Sequence, residues 1–427
     1  MPFAKPEKAE ISAKSEKIVA SSIKLIITLS IVAIIGLIGW YKFDDGANFD
    51  TQISSEYEWH VLQPSPEFEK QFEAALVDPH IVFGDKNLSQ LDAMVIGRVT
   101  PIWAMEHTHG IGVRHQWPAV YAIARFSGEK ISLVFDDSVN RYRITIDEDV
   151  GSALVVDRPG GKAVEITGLG PGVHSIRLDK ISESFDKTGD FLGFFVTLGN
   201  DMPPTRQKER QIEFIGDSDT VGYGNVSSRR ECSGRDVHLL TDTQLAFGPL
   251  VARHFQADYQ IMAVSGSGVV RNAGGVDPGN TMVDRYNRLL EEDETTELAE
   301  SWSPQVVAFA LGSNDFSTPL GAEEAWPDQE ALSIDFVARY VQFANRVRLR
   351  YPGALIIFFV FEGYGSEYLD AHQQVLNVLR ANGDEKVAMV NLPKIEKLGC
   401  HWHPSQKDHH LMADKIIQFM QMQPAVW

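Results

Sequence analysis

The stretch Gln211-Ile-Glu-Phe-Ile-Gly-Asp-Ser218 decides the fold of the C-terminal half of the chain. It predicts a short buried strand that ends abruptly at Gly-Asp-Ser. Beyond it, buried apolar runs alternate with segments of helical periodicity. The predicted strands are residues 259–264, 305–311, 354–360 and 387–390, and the predicted helices are residues 243–254, 335–350, 368–381 and 405–422. This alternation is typical of an α/β domain in which helices cover both faces of a parallel sheet.

The preceding region, residues 82–200, has a different rhythm. Short β-rich runs are separated by turn residues such as Ser127-Gly128 and Arg158-Pro-Gly-Gly161. Examples of these runs are residues 119–126, 131–135, 141–146 and 193–198. Such spacing predicts an all-β sandwich. The polar, proline-bearing stretch 201–205 then marks the boundary to a second domain, residues 206–427.

The N-terminal 81 residues contain a tether and a candidate membrane segment. Residues 42–81 are polar, and we predict a tether that ends in a short amphipathic helix carrying Phe68, Phe72, Ala75 and Leu76 on one face. Residues 25–41 form an uncharged run that follows five lysines, so residues 1–24 are predicted to be a cytoplasmic stub.

The uncharged run favours an uncleaved transmembrane anchor, with the catalytic domain held in the periplasm of a bacterial inner membrane. A cleaved signal peptide, which would make the protein secreted, and a buried core helix are the alternative interpretations. In the exported cases the body of the protein lies in an oxidising space, where Cys232 and Cys400 are able to form a bridge.

The amino-acid composition argues against several classes of protein. The 58 Asp and Glu residues outnumber the 39 Lys and Arg residues, which gives a formal net charge of −19. This balance argues against a nucleic-acid partner, because phosphate affinity depends on Lys and Arg. Only two cysteines are present among the 427 residues, so a disulfide-dense fold and a four-thiolate zinc site are both excluded.

Residues that can take part in catalysis follow the predicted strands. Ser218 ends the first strand, where its hydroxyl is presented and its N–H can join an anion hole. Gly266 follows the second strand and lets backbone N–H groups approach a ligand. Asn314 follows the third and offers a side-chain donor to an oxyanion, and His403 near the C-terminus is a candidate general base. Because ligands bind at the carboxyl ends of strands in such sheets, these residues predict one site.

The ordered blocks Gly216-Asp-Ser218, Gly266, Gly312-x-Asn314-Asp315 and His403-Pro404 resemble those of the SGNH (GDSL-type) hydrolases. The resemblance is closer still to carbohydrate esterase family 2, which joins a jelly-roll domain to a flavodoxin-like, three-layer SGNH domain. Further motifs that carry this likeness are Ile96-Gly-Arg98, Trp117-Pro118, Phe126-Ser-Gly128, Gly222-Tyr-Gly-Asn225, Ala246-Phe-Gly248, Ser265-Gly-x-Gly268, Arg271-Asn272 and Gly399-Cys400.

The resemblance implies a nucleophile, Ser218, and a base, His403. It also implies an oxyanion hole made of the Ser218 N–H, the Gly266 N–H and the Asn314 side chain. Many SGNH enzymes carry an aspartate two or three residues before the histidine, but here those positions hold His401 and Cys400. The resemblance therefore suggests a Ser–His dyad in which a backbone carbonyl or another acceptor fixes the imidazole tautomer.

Both cysteines lie beside these candidates, Cys232 in the loop after the nucleophile block and Cys400 next to the base. We predict a disulfide between them across the mouth of the site, with two separate buried thiols as the alternative. The histidine-rich tail lacks a completing set of carboxylates or thiolates, so no metal and no cofactor are expected. Asp217 is predicted to satisfy turn amides beside Ser218.

The hypothesis is a serine esterase that removes O-acetyl groups, 6-O-acetyl groups among them, from xylan- or glucomannan-type carbohydrate. Four aromatic residues are candidates for stacking on sugar rings, namely Tyr223, Trp326, Tyr364 and Trp402. One alternative is a general short-chain or cell-envelope glycan acetylesterase. Another, from a different class, is a non-catalytic carbohydrate-binding protein with a decayed site. For the sandwich, a role in packing on the catalytic half is favoured over glycan binding.

Overall fold

A computed structural model describes residues 61–62, 72–103, 111–149, 153–290, 301–423 and 426–427. All of them belong to one compact unit, His60–Trp427. The predicted stub (1–24) and anchor (25–41) lie outside the described residues. Within the described ranges, no helix combines the length and the apolar character needed to cross a bilayer.

The N-terminal part of this unit consists of antiparallel strands. They are β1 (Val61–Leu62), β2 (Glu73–Val77), β3 (Leu88–Gln90), β4 (Met94–Ile96), β5 (Val99–Trp103), β6 (Ile111–His115), β7 (Tyr121–Ser127), β8 (Lys130–Asp137), β9 (Arg141–Ile146), β10 (Leu154–Asp157), β11 (Gly160–Thr167), β12 (Val173–Lys180) and β13 (Gly189–Thr197), with one short helix, α1 (Pro79–Gly84). One sheet has the order β1-β10-β9-β12-β7-β4 and the other β2-β11-β8-β13-β6-β5, with β3 paired to β13. Inward-facing aromatic residues such as Phe126, Phe135 and Phe194 fill the space between them.

The predicted helix that carries Phe68, Phe72, Ala75 and Leu76 on one face is wrong over its second half. Residues Glu73–Val77 form β2, which pairs with β11. Phe72, Ala74 and Leu76 pack on the sandwich core whereas Ala75 is exposed, so the spacing is two rather than 3.6. The edge of the sheet supplies backbone partners that outweigh a weak local helical pattern. The sandwich thus recruits strands from the segment predicted as a tether, 42–81.

The C-terminal part is a parallel α/β arrangement. Its strands are β14 (Gln211–Gly216), β15 (Asp258–Ala263), β16 (Val306–Ala310), β17 (Leu355–Phe361) and β18 (Val387–Leu392). Its helices are α2 (Ser218–Val221), α3 (Gly234–Leu240), α4 (Phe247–His254), α5 (Met282–Arg285), α6 (Ser313–Phe316), α7 (Gln329–Arg350), α8 (Ser366–Ala381) and α9 (Gln406–Gln421). The predicted fold class, a β-sandwich followed by a parallel α/β domain, is confirmed.

The strand order β15-β14-β16-β17-β18 indicates where on the sheet a ligand is expected to bind. The chain leaves β14 towards β15 on one side and reaches β16 on the other side. The carboxyl end of β14 is therefore the point where the strand order reverses, and a crevice opens at such a point. Ser218 stands directly after this strand end.

Buried contacts join the sandwich to the α/β half. Met94, Ile96 and Trp117 belong to the same hydrophobic cluster as the strands of the parallel sheet. Arg98 forms a buried ion pair with Glu213 on β14, with 3.2 Å between Nη2 and Oε1. These contacts agree with the predicted packing role of the sandwich.

Candidate active site

The turn that presents Ser218 is fixed by its neighbours. Asp217 caps α2, since its Oδ1 accepts the Asp219 N–H at 3.0 Å, as predicted for a turn carboxylate. Gly216 is required here, because a Cβ would lie 1.9 Å from the Oγ1 of Thr220. Ser218 occupies the first helical position, where an N–H has no acceptor within the helix. Both its hydroxyl and its N–H are thus held at the end of β14.

His403 faces Ser218 across 185 residues of sequence. Its Nε2 lies 2.9 Å from the Ser218 Oγ, and its Nδ1 lies 2.9 Å from the carbonyl oxygen of Cys400. A carbonyl only accepts, so Nδ1 carries the proton and Nε2 accepts from the serine hydroxyl. The structure thus brings the predicted nucleophile and base together. A backbone carbonyl stands where many SGNH enzymes use a carboxylate.

A disulfide joins Cys232 to Cys400, as predicted. The segment around Cys400 is further held by backbone hydrogen bonds, from the Cys400 N–H to the Gly224 carbonyl (3.2 Å) and from the His401 N–H to the Arg230 carbonyl (2.7 Å). These contacts fix the carbonyl that orients the base. They hold residues 400–402 in a tight turn in which His401 and Trp402 have positive φ.

Burial lowers the pKa of His403 below that of a free imidazole. The negative charge of Asp219 and the Cys400 carbonyl oppose this shift, whereas the positive charge of Lys397 and the proximity of His401 add to it. The ring is consequently neutral at pH 7 and ready to accept a proton.

Asp219 follows the nucleophile in the chain and lies close enough to His403 to influence its charge. Its buried carboxylate accepts a hydrogen bond from the Tyr364 hydroxyl (3.2 Å) and acts on His403 through its charge. The adjoining carboxyl of Asp217 is also buried. Burial and the charge of Asp219 raise the pKa of Asp217 well above its usual range, although a hydrogen bond from Ser313 opposes the rise.

The Gly266 loop follows β15 and forms a tight turn. The Ser267 N–H donates to the Val264 carbonyl (3.1 Å), and Gly266 has φ +81°. Ser265 is not among the residues with positive φ. A bonded turn with positive φ only at its third position is type II, which favours glycine there.

Asn314 lies beside this turn, but its amide is already engaged. Its Nδ2 donates to the Asp217 Oδ2 (3.2 Å) and to the Ser267 carbonyl (2.9 Å). Both N–H groups of the amide are therefore used. To donate to an oxyanion, Asn314 has to give up one of them, and the bond to Asp217 is the longer. The next residue, Asp315, accepts the N–H groups of residues 269, 270 and 271 and so ties the Gly266 loop to α6.

The four candidate stacking residues occupy different settings. The Tyr223 ring lies 4.4 Å from the His403 ring, between centroids, and Trp402 is 63% exposed with the Arg230 guanidinium over one face. The Tyr364 ring is covered by the Lys397 ammonium at 3.7 Å. Trp326 donates instead to Asp335 on α7. The structure thus places the Tyr223 ring against the imidazole of His403, leaves Trp402 exposed under the Arg230 guanidinium, and gives Trp326 a separate partner.

The histidines of the C-terminal tail point to separate partners. His409 is buried and accepts from the Phe247 N–H, whereas His401 contacts the Tyr223 hydroxyl and the Cys232 carbonyl. In the part of the chain that the structure describes, no cluster of three or more His, Cys, Asp or Glu residues is arranged to hold a metal ion.

Two family profiles match the chain. Carbohydrate esterase 2 N-terminal covers residues 104–205, and GDSL-like Lipase/Acylhydrolase covers residues 212–416. A relative from Cellvibrio japonicus (strain Ueda107), named acetylxylan esterase / glucomannan deacetylase, is 37% identical over 317 residues. That similarity spans 74% of this chain and 88% of the relative.

Solved structures show the same likeness. One, a carbohydrate esterase whose active site displays divergent catalytic and non-catalytic binding functions, superposes with a TM-score of 0.74 at 35% identity, covering 79% of this chain and 100% of that one. Another, a family two carbohydrate esterase from Clostridium thermocellum in complex with cellohexaose, has a TM-score of 0.65 at 26% identity. It covers 77% of this chain and 98% of that one.

Proposed function

The chain belongs to carbohydrate esterase family 2 and is a carboxylic ester hydrolase of the GDSL type, and we propose that it deacetylates xylan- or glucomannan-type carbohydrate. The substrate class rests on the name of the Cellvibrio relative and on the cellohexaose complex of the Clostridium one. The observation that carries the mechanism is the 2.9 Å contact between Ser218 and His403.

In the proposed first half-reaction, the Ser218 Oγ attacks the acetyl carbonyl carbon while His403 Nε2 takes the hydroxyl proton. The carbonyl oxygen becomes an oxyanion that accepts from the N–H groups of Ser218 and Gly266 and from the Asn314 amide. When the intermediate collapses, the bond to the sugar oxygen breaks. His403 then returns the proton to that oxygen, which leaves as a hydroxyl.

In the second half-reaction, water attacks the acetyl-serine. His403 takes a proton from the water, the same donors hold the second oxyanion, and acetate leaves as the proton returns to Ser218. Each such donor typically contributes about 2.7–4 kcal/mol to lowering the barrier. The Cys400 carbonyl supports both halves, because it accepts from Nδ1 and stabilises the imidazolium that forms twice per cycle.

The surroundings of the pair suit a sugar ester. Tyr223 offers ring surface beside the imidazole, and Trp402, the residue before His403 in the chain, is exposed. Aromatic rings of this kind stack on the apolar faces of pyranose rings. Trp326 is not included, since its contact is with Asp335.

We also propose that residues 25–41 form an N-terminal membrane anchor and that the esterase is exported to the periplasm. The Cys232–Cys400 disulfide supports an oxidising compartment, since such bonds persist outside the cytosol. A cell-envelope glycan then becomes a second candidate substrate, because an anchored enzyme reaches the envelope and incoming oligosaccharides.

Hydrolysis of p-nitrophenyl acetate by wild type and by Ser218→Ala tests the mechanism. We expect the alanine variant to lose at least about 10⁴-fold in kcat. Ser366→Ala is the control, because Ser366 is exposed and its hydroxyl contacts Glu367, and it should retain full activity. Equal activity of wild type and Ser218→Ala would rule out the serine mechanism.

Acetate release from acetylated xylan, acetylated glucomannan and O-acetylated peptidoglycan then identifies the substrate. Preference for the plant polysaccharides is expected, and preference for peptidoglycan would transfer the function to the cell envelope. Binding of cellohexaose to a wild type that hydrolyses none of these esters would instead identify a carbohydrate-binding protein.

A further inference from the structure

One buried carboxylate of the sandwich reaches the active-site loop of the other half. Glu183 follows β12 and is 8% exposed. It accepts two hydrogen bonds from a single residue, Ser265: one from the N–H (2.8 Å) and one from the hydroxyl (2.6 Å). Ser265 immediately precedes Gly266.

Because Ser265 is part of the turn that carries the Gly266 N–H, these two bonds influence the direction of that N–H. In the type II turn Val264–Ser267, the central peptide joins Ser265 to Gly266 and carries the Gly266 N–H. A type I turn differs by rotation of this same peptide, which would point the N–H the opposite way. Glycine tolerates both forms, so the direction of this donor depends on how its neighbours are held.

The far side of the loop is held from within the α/β half. Asp315 accepts the N–H groups of residues 269–271, and the Ala273 N–H donates to the Gly266 carbonyl. The near side, at Ser265, is held by Glu183 alone among the side chains with a described bond to this residue. One wall of the predicted oxyanion hole therefore depends on the sandwich.

The chain next to Glu183 is held by buried hydrogen bonds within the sandwich. Next to it, the Ser184 hydroxyl donates to Asn140 and accepts from the buried ammonium of Lys180, which also donates to the Trp117 carbonyl. Burial raises the pKa of Glu183, but the two bonds from Ser265 and the positive charges of Lys180 and Arg285 favour the ionised form that accepts both.

We propose that Glu183 is a positioning residue for the oxyanion donor at Gly266, so that the sandwich supplies part of the catalytic geometry. This rests on the proposed serine mechanism, in which the Gly266 N–H binds the oxyanion. Loss of Glu183 frees Ser265 and lets the turn populate forms whose N–H faces away from Ser218. The ground-state ester is bound by other groups and is little affected.

The test compares Glu183→Ala, Glu183→Gln and Tyr121→Phe in the full chain, with p-nitrophenyl acetate. Tyr121→Phe is the matched control, because it removes another buried bond between the halves, from Tyr121 to Asp258, at the amino end of β15. We expect Glu183→Ala to lose about 10- to 100-fold in kcat with KM changed less than threefold, since full loss of one oxyanion donor costs 10²–10³. Glu183→Gln should retain most of kcat because an amide can accept from the N–H and donate to the hydroxyl.

Tyr121→Phe should lower the melting temperature and leave kcat unchanged. Affinity for phenylboronic acid, whose adduct with Ser218 mimics the tetrahedral intermediate, should fall in Glu183→Ala in proportion to kcat.

A double-mutant cycle locates the effect. If Glu183 acts through Ser265, the Glu183→Ala/Ser265→Ala variant should be no slower than Glu183→Ala. Additive losses would contradict the proposal, as would unchanged kcat in folded Glu183→Ala, or Glu183→Gln as slow as the alanine variant. Glu183 also lines a small cleft with Gln116, Trp117 and Phe185. A rise in KM alone would therefore mean substrate contact there and overturn positioning.

A failure of the serine mechanism itself would be distinguished from a failure of this proposal, because Ser218→Ala would then have the same kcat as wild type.

Discussion

The Nδ1 of His403 and the carbonyl oxygen of Cys400 lie 2.9 Å apart, and the same Cys400 is cross-linked to Cys232. The acceptor that orients the base is therefore part of the backbone, and a covalent bond holds that backbone in place. In a triad this task belongs to a carboxylate side chain. Here it depends on the conformation of the two residues, His401 and Trp402, that lie between the disulfide and the base.

Reduction of the disulfide should consequently lower activity as well as stability. Dithiothreitol is expected to lower kcat of wild type by about 10- to 100-fold, because a base displaced by about 1 Å loses on that order. The free energy of unfolding should fall by about 2–4 kcal/mol. The Cys232→Ser/Cys400→Ser variant should show the same lowered kcat and no response to reductant. A reduced, folded wild type with undiminished kcat would show that the other contacts of the segment suffice.

The acid limb of the pH–rate profile should lie below pH 6.5, because burial lowers the pKa of His403 and the base works only when neutral. Asp219→Asn removes a negative charge that favours the protonated ring, so its midpoint should move to lower pH. Lys397→Gln removes a positive charge that disfavours it, so its midpoint should move to higher pH. Lys407→Gln, at an exposed lysine paired with Glu396, should leave the profile in place. Shifts of the same sign in both active-site variants would contradict this account of the base.

Removing Arg98 should destabilise the whole unit. Arg98 donates to the Tyr286 carbonyl and pairs with Glu213, which is itself fully buried. Arg98→Met leaves that carboxylate with Trp302 and Tyr351 as its neutral donors, and the free energy of unfolding should drop by about 3–5 kcal/mol in urea titrations. Lys130→Met breaks the partly exposed pair with Glu165 and should cost less than about 1 kcal/mol. Equal losses of unfolding free energy in the two variants would show that the buried ion pair contributes no more to stability than the partly exposed one.

Two buried histidines should make the fold acid-sensitive. Burial lowers the pKa of His372 to about 4 and that of His409 to about 3. The unfolded chain binds these protons near pH 6.5 whereas the folded one does not. Their stabilising contribution is therefore complete above pH 6.5 and is lost as the pH falls towards 4 and 3, by up to about 1.4 kcal/mol per pH unit for each group.

The variant His409→Gln tests this linkage, because it removes one of the two groups. Its unfolding free energy should fall less steeply than that of wild type between pH 6.5 and 4. The control is His410→Gln, at the exposed neighbour, and it should keep the wild-type slope. The raised pKa of buried carboxyls such as Asp217 acts in the opposite direction, so the comparison is between variants. Parallel curves for all three proteins would contradict the assignment.

Local patterns predicted the secondary structure of the α/β half closely, since its strands are continuous apolar runs. The apolar spacing predicts that α7 begins at residue 335, whereas the helix is Gln329–Arg350. Its N-cap, Asp328, accepts from the Ala331 N–H, and this polar first turn lacks the apolar spacing on which the prediction relied. In β2, sheet pairing overrode helical spacing, which no local pattern could reveal.

The sequence by itself determined the order of the fold and singled out the proposed reacting pair, Ser218 and His403, because strand ends and block order are local properties. Only the tertiary structure decided what orients the base, what occupies the Asn314 amide and what holds Ser265. These are contacts of 2.6–3.2 Å, two of them between groups distant in sequence, and hydrogen bonds of this length exist only where packing fixes both partners. Glu183 shows this most clearly, because nothing around it in the chain distinguishes it until two domains pack together.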